Sequence, residues 1–177
     1  MKKILVVVDM QNDFIDGSLG TKEAEAIVEP VAAKIMTYPT ENIYATRDTH
    51  PVNYLDTQEG KKLPVEHCIE GTFGWEINEK VAAALKHAVI INKPTFGSEI
   101  LAETLAEENK KEEIAVELVG LCTDICVVSN ALLLKAKMPE ISIMVDPSCC
   151  AGVTPETHDA ALQTMKMCQI EIERPEK

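Results

Sequence analysis

The chain has 177 residues, of which 46% are hydrophobic and 26% charged, and its formal net charge is −12. This composition is ordinary for a globular protein and excludes disordered, collagen-like and coiled-coil chains. The acidic balance argues against nucleic-acid and membrane partners, because binding to phosphate backbones or anionic lipids requires basic side chains that displace counterions.

The first residues predict a buried strand rather than a signal peptide. The apolar run 4–8 has five residues and ends at Asp9, whereas the apolar region of a signal peptide takes ~7 to 15 residues. No stretch of the sequence reaches the ~18 to 20 apolar residues that would cross a bilayer. Six cysteines without an export signal are expected to stay reduced, so we expect a cytoplasmic protein.

Along the rest of the chain, short apolar runs alternate with longer segments of helical period. The runs typical of strands are 4–8, 42–46, 88–92, 114–120, 141–146 and the more alternating 169–173. Helical period is found at 31–36, 77–87, 99–107, 124–137 and 156–167. This order predicts one domain over residues 1–177, with a three-layer α/β/α fold around a six-stranded, mostly parallel, doubly wound sheet.

One long stretch, at about 47–75, has neither period. It is much longer than an ordinary connection, which has a median of ~4 to 6 residues. Long loops at the carboxyl ends of strands usually carry function in sheets of this kind. We therefore expect part of the functional site in this loop.

The first predicted strand leads into Asp9-Met10-Gln11-Asn12-Asp13-Phe14, with no glycine before Gly17. Two carboxylates without a glycine-rich turn make a poor phosphate cradle, which argues against nucleotide binding. A carboxylate at the end of a buried strand is costly unless it is paired or takes part in chemistry. Asp9 therefore either caps the following turn or belongs to an active site, and position alone leaves both open.

The segment from Gly120 to Cys126 joins the fourth predicted strand to an apolar helix. Thr123 is a plausible N-cap, which would place Cys126 in the first helical turn, where the helix dipole lowers a thiol pKa. Free N–H groups in this turn could bind an oxyanion. Alternatively, Cys122 and Cys126 are small core residues or, with less support, a redox disulfide. Zinc at this pair is not expected, because the spacing is not Cys-x-x-Cys.

Asp9, the tripeptide Asn92-Lys93-Pro94 and Cys126 together resemble the isochorismatase-like cysteine hydrolases, and among these the nicotinamidases. The matching segments follow the family's order and cover nearly the whole chain: 4–14, 46–72, 92–97, 120–131 and 146–158. The resemblance implies the isochorismatase-like version of the predicted α/β fold.

The resemblance also implies a catalytic triad of Asp9, Lys93 and Cys126. It further implies an oxyanion hole formed by the N–H groups of Cys122 and Cys126, and a non-proline cis peptide between Leu121 and Cys122. The residue types suit this chemistry, because a thiol nucleophile needs a base to take its proton and a positive charge to hold the thiolate. Taken by itself, Lys93 would be a surface lysine at a strand end.

Asp48 and His50 lie two residues apart in an extended segment, so that their side chains point the same way and can address one ion. The resemblance implies that Asp48, His50 and His67 bind one divalent ion, with zinc favoured over manganese or iron. Many relatives carry a further histidine about six residues after the position of His50, and this chain has no histidine there. Glu59 is our candidate fourth ligand. Alternatively, both histidines are ordinary loop residues.

Phe14 and Trp75 are the expected substrate-binding aromatics, since a flat pyridine ring stacks on such side chains. Phe96 is a weaker candidate, and each of the three could simply be a local core residue. Two adjacent thiols, Cys149 and Cys150, follow the fifth predicted strand and have no assigned role.

The resemblance implies an amidohydrolase that converts nicotinamide and water into nicotinic acid and ammonia through a thioester at Cys126, in pyridine nucleotide biosynthesis. It also implies a small-molecule amide substrate and a homo-oligomer. One alternative keeps the triad but acts on another small amide or carbamoyl compound. Another is a non-enzymatic metal- or thiol-sensing protein of the same fold. Isochorismate hydrolysis is less expected, because cleavage of that vinyl ether does not use this metal motif.

Overall fold

The computed structural model describes residues 1–173, and a parallel sheet forms its centre. The strands are β1 (Lys2–Val8), β2 (Ile43–Asp48), β3 (Val89–Lys93), β4 (Ile114–Leu121), β5 (Ser142–Ala151) and β6 (Glu171–Ile172). Their spatial order is β3-β2-β1-β4-β5-β6, and every neighbouring pair is parallel. The predicted six-stranded α/β fold is confirmed. The strand order reverses between β1 and β4, and in such sheets the site lies at the carboxyl ends beside the reversal.

The helices fall into a long set and a short set. They are α1 (Asn12–Ile15), α2 (Lys22–Ala26), α3 (Val28–Ile35), α4 (Gln58–Lys62), α5 (Glu79–Leu85), α6 (Glu99–Lys111), α7 (Val128–Lys137) and α8 (Pro155–Met167). The five predicted helices correspond to α3, α5, α6, α7 and α8, whereas the three of four or five residues are too short to show a period. None of the helices in residues 1–173 is long and apolar enough to cross a membrane.

Two apolar cores cover the two faces of the sheet. Ile4, Val6 and Val8 of β1 pack with α6, α7 and α8, while Leu5 and Val7 pack with α3 and α5. All five side chains are at most 1% exposed. The run at 4–8 is continuously apolar because its strand is covered on both faces.

The fifth and sixth strands differ from the prediction. β5 has ten residues and passes a register shift against β4, whereas β6 has only two. Cys149 and Cys150 therefore lie inside β5 rather than after it. Their side chains alternate between the two cores, Cys149 beside the α3 face and Cys150 beside the α7 face. This placement explains two adjacent buried thiols as core residues.

A buried ionic cluster attaches α3 to the sheet. Lys34 Nζ lies 2.7 Å from Glu117 Oε1, 2.7 Å from Asp146 Oδ2 and 3.1 Å from Glu173 Oε2. Glu117 and Asp146 are buried. Burial raises the pKa of Asp146, but hydrogen bonds from Lys34 and Ser148 outweigh this effect and lower it to about 2. Lys34 is thus the cation that compensates the buried carboxylates.

Replacing Lys34 by methionine is expected to lower the free energy of unfolding by about 2 to 3 kcal/mol, because it leaves buried carboxylates without their cation. The exposed Lys110, which pairs with Glu107, provides the control; its replacement by methionine should cost about 0.5 kcal/mol or less. Since the pKa of Asp146 is depressed, its contribution is complete above about pH 4 and is lost as the pH falls toward about 2. Urea denaturation across this range measures both effects, and equal losses in the two variants would contradict this role.

Candidate active site

Side chains from three strand ends and one helical turn converge at the carboxyl edge of the sheet. Lys93, the last residue of β3, places its Nζ 2.7 Å from Asp9 Oδ2, 3.3 Å from Asp48 Oδ1 and 3.4 Å from Cys126 Sγ. The four residues are at most 4% exposed. The structure therefore brings the three residues of the predicted triad together around a buried ammonium group and joins them to the first predicted metal ligand.

Asp9 leaves β1 with an uncommon backbone conformation. Its φ is 47°, in the left-handed region, and such conformations recur at functional sites. Thr46 Oγ1 donates to Asp9 Oδ1 at 2.7 Å. Oδ2 contacts the Lys93 ammonium but makes no aligned hydrogen bond among the described residues. The side chain therefore faces the cleft and does not cap the following turn, which removes the capping alternative.

The electrostatics of the cleft differ from the sequence expectation for Cys126. Burial raises the pKa of the Cys126 thiol well above its usual value, and the nearby Asp9 carboxylate raises it further. Burial also raises the pKa of Asp9, more than the Lys93 charge lowers it. The pKa lowering predicted from the helix dipole is therefore wrong for the resting protein, because complete burial outweighs the dipole. The site holds a neutral thiol beside a carboxyl group of increased basicity.

Lys93 is held in its charged form. Burial lowers the pKa of its ammonium group, but the nearby carboxylates of Asp9 and Asp48 outweigh this effect and raise it. The ammonium also donates to the carbonyl of Thr95 at 3.1 Å. A fixed positive charge thus lies beside the sulfur atom, where it would stabilise a thiolate.

The turn that carries Cys126 begins with special backbone geometry. Gly120 has a φ of 117°, and a Cβ atom there would overlap the carbonyl oxygen of Val8 in β1. Only glycine allows β4 to approach β1 this closely. The peptide between Leu121 and Cys122 is cis, as the family resemblance implied.

Thr123 does not act as the predicted N-cap. The chain forms a π-helical turn at Thr123–Val127, so the N-cap position falls on Cys122 and not on Thr123. The Cys122 side chain does not cap this turn. Instead, the Thr123 hydroxyl pairs with Nδ1 of His158 at 2.7 Å. His158 is half-buried against this turn. Ile125 and Val127 donate their N–H groups to the Cys122 carbonyl, and the Cys126 N–H lies between them in the chain.

Asn130 is a site residue that the sequence analysis missed. Its Nδ2 donates to the carbonyls of Cys126 at 2.8 Å and Phe96 at 3.2 Å, and its Oδ1 accepts from the N–H of Ser98. The Asn130 side chain thus links the loop after β3 to the turn that carries Cys126. The available signal was a single amide, four residues after the cysteine, in a mostly apolar helical run.

The predicted metal ligands form a second cluster beside the first. His50 Nε2 lies 2.9 Å from Asp48 Oδ2 and 3.7 Å from Glu59 Oε1, while His67 Nε2 lies 3.8 Å from each of these carboxylates. Two ligands of a tetrahedral ion at ~2.05 Å would lie about 3.3 Å apart, so these separations suit one ion. The donor set of two imidazoles and two carboxylates suits zinc, manganese or iron.

One buried atom supports this fit. His50 Nε2 is buried and makes no aligned hydrogen bond among residues 1–173, although Asp48 Oδ2 is close. A buried polar atom without a partner is unusual in proteins. His67 Nδ1 pairs with the carbonyl of Val65 at 2.8 Å, which leaves its Nε2 facing the cluster. The residues present therefore fit a divalent ion.

A cavity of about 390 Å³ connects the two clusters. Its walls include Asp48, Glu59 and His67 from the metal group and Cys122 and Cys126 from the catalytic turn. Gln58, Lys62 and Thr95 also line it, and the other lining residues are apolar: Phe14, Leu19, Leu63, Pro94, Phe96 and Ile125. Phe14 lies where the prediction placed it, with its ring centroid 5.6 Å from that of His67.

Trp75 does not line this cavity, which corrects its predicted role in substrate binding. The Arg47 guanidinium lies 3.4 Å from the Trp75 ring centroid and covers it. The indole N–H donates to Thr49 Oγ1 at 2.9 Å. Trp75 therefore packs against the start of the long loop.

The chain is similar to a known protein family over nearly its whole length. The model of the isochorismatase domain matches residues 3–174. The chain belongs to the isochorismatase family. The family resemblance inferred from the motifs is thereby confirmed.

The relatives of this chain include proteins named as nicotinamidases. The nicotinamidase/pyrazinamidase of Mycobacterium tuberculosis is 26% identical over 185 residues, covering 96% of this chain and 97% of that protein. The nicotinamidase of Saccharomyces cerevisiae is 30% identical over 122 residues, but the match spans 51% of this chain and 56% of the yeast protein. The structure of the pyrazinamidase of Pyrococcus horikoshii in complex with zinc matches with a TM-score of 0.78 at 28% identity, covering 98% of this chain and 99% of that chain.

Proposed function

We propose that this isochorismatase-family chain hydrolyses nicotinamide to nicotinic acid and ammonia. The observation that carries the proposal is that one cavity is lined both by Cys126 and by Asp48, Glu59 and His67 of the metal-ligand group. A site that combines a nucleophile with a cation anchor suits a small aromatic amide that carries a ring donor atom. The names of the M. tuberculosis and S. cerevisiae relatives support this substrate.

Acylation uses the triad in its resting protonation state. As the sulfur of Cys126 attacks the amide carbon, its proton passes to the Asp9 carboxylate, whose pKa is raised by burial. Lys93 stabilises the thiolate as it forms. The carbon–nitrogen bond then breaks, the nitrogen takes the proton from Asp9, and ammonia leaves a thioester on Cys126.

Deacylation reverses the proton path. Asp9 takes a proton from a water molecule as its oxygen bonds to the thioester carbon. The carbon–sulfur bond breaks, and the thiolate of Cys126 recovers the proton from Asp9. The sum of the two stages is one amide and one water converted into one acid and one ammonia.

The oxygen of the attacked carbonyl gains negative charge in both stages. We assign the N–H groups of Cys122 and Cys126 as its donors, since the N–H groups of Ile125 and Val127 are occupied by the Cys122 carbonyl. Removal of one such donor typically costs about 10²- to 10³-fold in rate.

Asp48, His50, His67 and Glu59 would hold the divalent ion. When bound, the ion would supply a Lewis-acidic anchor for the pyridine nitrogen, away from the attacked carbonyl. Phe14 and Phe96 lie on the cavity wall, where they can contact the flat ring. We favour zinc, which the P. horikoshii pyrazinamidase contains.

In the cell, the reaction would supply nicotinic acid for pyridine nucleotide synthesis. The six cysteines are free thiols, which supports a reducing compartment such as the cytoplasm. Self-association stays a prediction from the family resemblance.

Ammonia and nicotinic acid are expected in equal amounts when zinc-loaded protein is mixed with nicotinamide, with kcat in the ordinary enzyme range of about 1 to 10³ s⁻¹. Removal of the ion with a chelator should reduce kcat/KM by about tenfold or more, because the substrate loses its ring anchor. Readdition of zinc should restore it. Coupled ammonia detection and chromatography of the acid measure both.

Two outcomes would contradict this substrate. Release of ammonia from a carbamoyl compound but not from nicotinamide would assign the same triad to another amide. Tight zinc binding without hydrolysis of any amide would favour a sensor protein.

A further inference from the structure

We propose that Gln11 is a positioning residue that fixes Asp48 in the metal-ligand group. The need for it arises in the sheet. β1 pairs with β2 as far as Val8 and Thr46, and Asp9 then turns away. Thr49 donates its N–H to Lys93 in β3, so the peptide groups of Asp48, one residue earlier, face the β1 side. They would meet no strand there.

The Gln11 side chain takes the place of the missing strand. Its Oε1 accepts from the N–H of Asp48 at 2.7 Å, and its Nε2 donates to the carbonyl of Asp48 at 2.8 Å. Nε2 also donates to the carbonyl of Trp75 at 2.9 Å. Gln11 is fully buried, and its acceptor and both donors are thus engaged. The side-chain amide of Gln11 therefore makes hydrogen bonds to both the N–H and the carbonyl group of Asp48.

The backbone of Asp48 must be fixed because its two carboxylate oxygens contact different side chains. Its Oδ1 lies 3.3 Å from the Lys93 ammonium, and its Oδ2 lies 2.9 Å from His50 Nε2. A small shift of the Asp48 backbone would remove one oxygen from its partner. Groups that orient metal ligands typically change metal affinity by about 10- to 100-fold when they are removed.

The turn after β1 also contacts the segment that carries His67. Asp13 Oδ2 accepts from the N–H of Cys68 at 2.7 Å, and Cys68 directly follows His67. The carbonyl of Cys68 in turn accepts from the N–H of His50 at 2.9 Å. The motif after β1 thus contacts both halves of the long loop, which gives its polar residues a role beyond that of Asp9.

The proposal rests on the metal site of the proposed function but concerns binding of the ion rather than the reaction. It is therefore tested without any amide. Asn12 provides a matched control, because it is buried on the same turn and donates to the carbonyl of Phe73 at 2.8 Å without bonding to a ligand residue.

The dissociation constant for Zn²⁺ is measured by chelator competition in the metal-free wild type, Gln11→Met and Asn12→Met. Gln11→Met is expected to raise it by about 10- to 100-fold, and Asn12→Met by less than about threefold. Both variants lose the hydrogen bonds of a buried amide, so a loss of thermal stability in both would not produce this difference.

Equal zinc affinity in the wild type and Gln11→Met would overturn the proposal, as would an equal loss in the two variants or a wild type that binds no zinc. If Gln11→Met does not fold, Gln11→Asn replaces it, because its shorter side chain cannot reach both groups of Asp48; wild-type affinity in that variant would again overturn the proposal. A wild type that binds zinc but leaves nicotinamide intact would refute the proposed reaction and leave this comparison valid.

Discussion

Replacing Cys126 by alanine is expected to lower kcat for nicotinamide by about 10⁴-fold or more, because it removes the sulfur that contacts Lys93 and forms the acyl intermediate. The fold should survive, since Lys93 keeps its contacts with Asp9, Asp48 and the carbonyl of Thr95. Zinc binding should also persist, because Cys126 is not a ligand. Steady-state kinetics and chelator competition measure the two properties separately.

Cys150 offers a matched control for this variant. Both thiols are 4% exposed, but Cys150 lies in the core beneath α7 and does not line the cavity. Cys150→Ala is expected to keep kcat within about threefold of the wild type, as distant core changes act on stability rather than on chemistry. Substantial turnover by Cys126→Ala would show that the sulfur is not the nucleophile.

Replacing Asp9 by asparagine is expected to lower kcat by about 10³-fold without loss of stability. Asparagine has the same shape but cannot carry the proton between the thiol and the leaving nitrogen. Because burial raises the pKa of Asp9, its ionised form disfavours folding at neutral pH, and its removal should not destabilise the protein. Lys93 retains Asp48 as an ionic partner in this variant.

Lys93→Met provides the contrast to Asp9→Asn. In the metal-free protein it leaves the buried carboxylates of Asp9 and Asp48 without the Lys93 ammonium group, so we expect it to lose activity and also about 3 to 5 kcal/mol of unfolding free energy. Denaturant titrations of both variants at pH 7 give the comparison. An Asp9→Asn protein that is as unstable as Lys93→Met, or one that keeps wild-type kcat, would refute the assigned role of Asp9.

The strand ends of this protein could be predicted because each apolar run stops at a polar residue. Asp9 follows one such run, and Lys93 follows another one residue beyond the predicted end at Asn92. In a parallel sheet these ends meet at one edge, so the sequence pattern alone brought them to the same side. Their selection as a catalytic set required the family resemblance.

Other features depend on long-range contacts that a sequence pattern does not contain. The raised pKa of Cys126 follows from complete burial, which the dipole argument did not include. Thr123 has the residue type of an N-cap, but its hydroxyl finds His158, a partner 35 positions later. Trp75 packs against the Arg47 guanidinium and does not line the cavity. In each case a contact with a residue distant in the sequence, or burial by such residues, outweighs the preference that the residue type shows locally.

A crystal structure of Cys126→Ala with zinc and nicotinamide would decide whether one cavity combines the two clusters in a single reaction. We expect the carboxamide carbon to lie above the Cys126 position, close enough that a sulfur there would approach it to ~3 to 3.5 Å. The ring nitrogen should face the ion held by Asp48, His50 and His67. A ring bound outside this cavity, or a carboxamide directed away from Asp9 and Lys93, would contradict that arrangement.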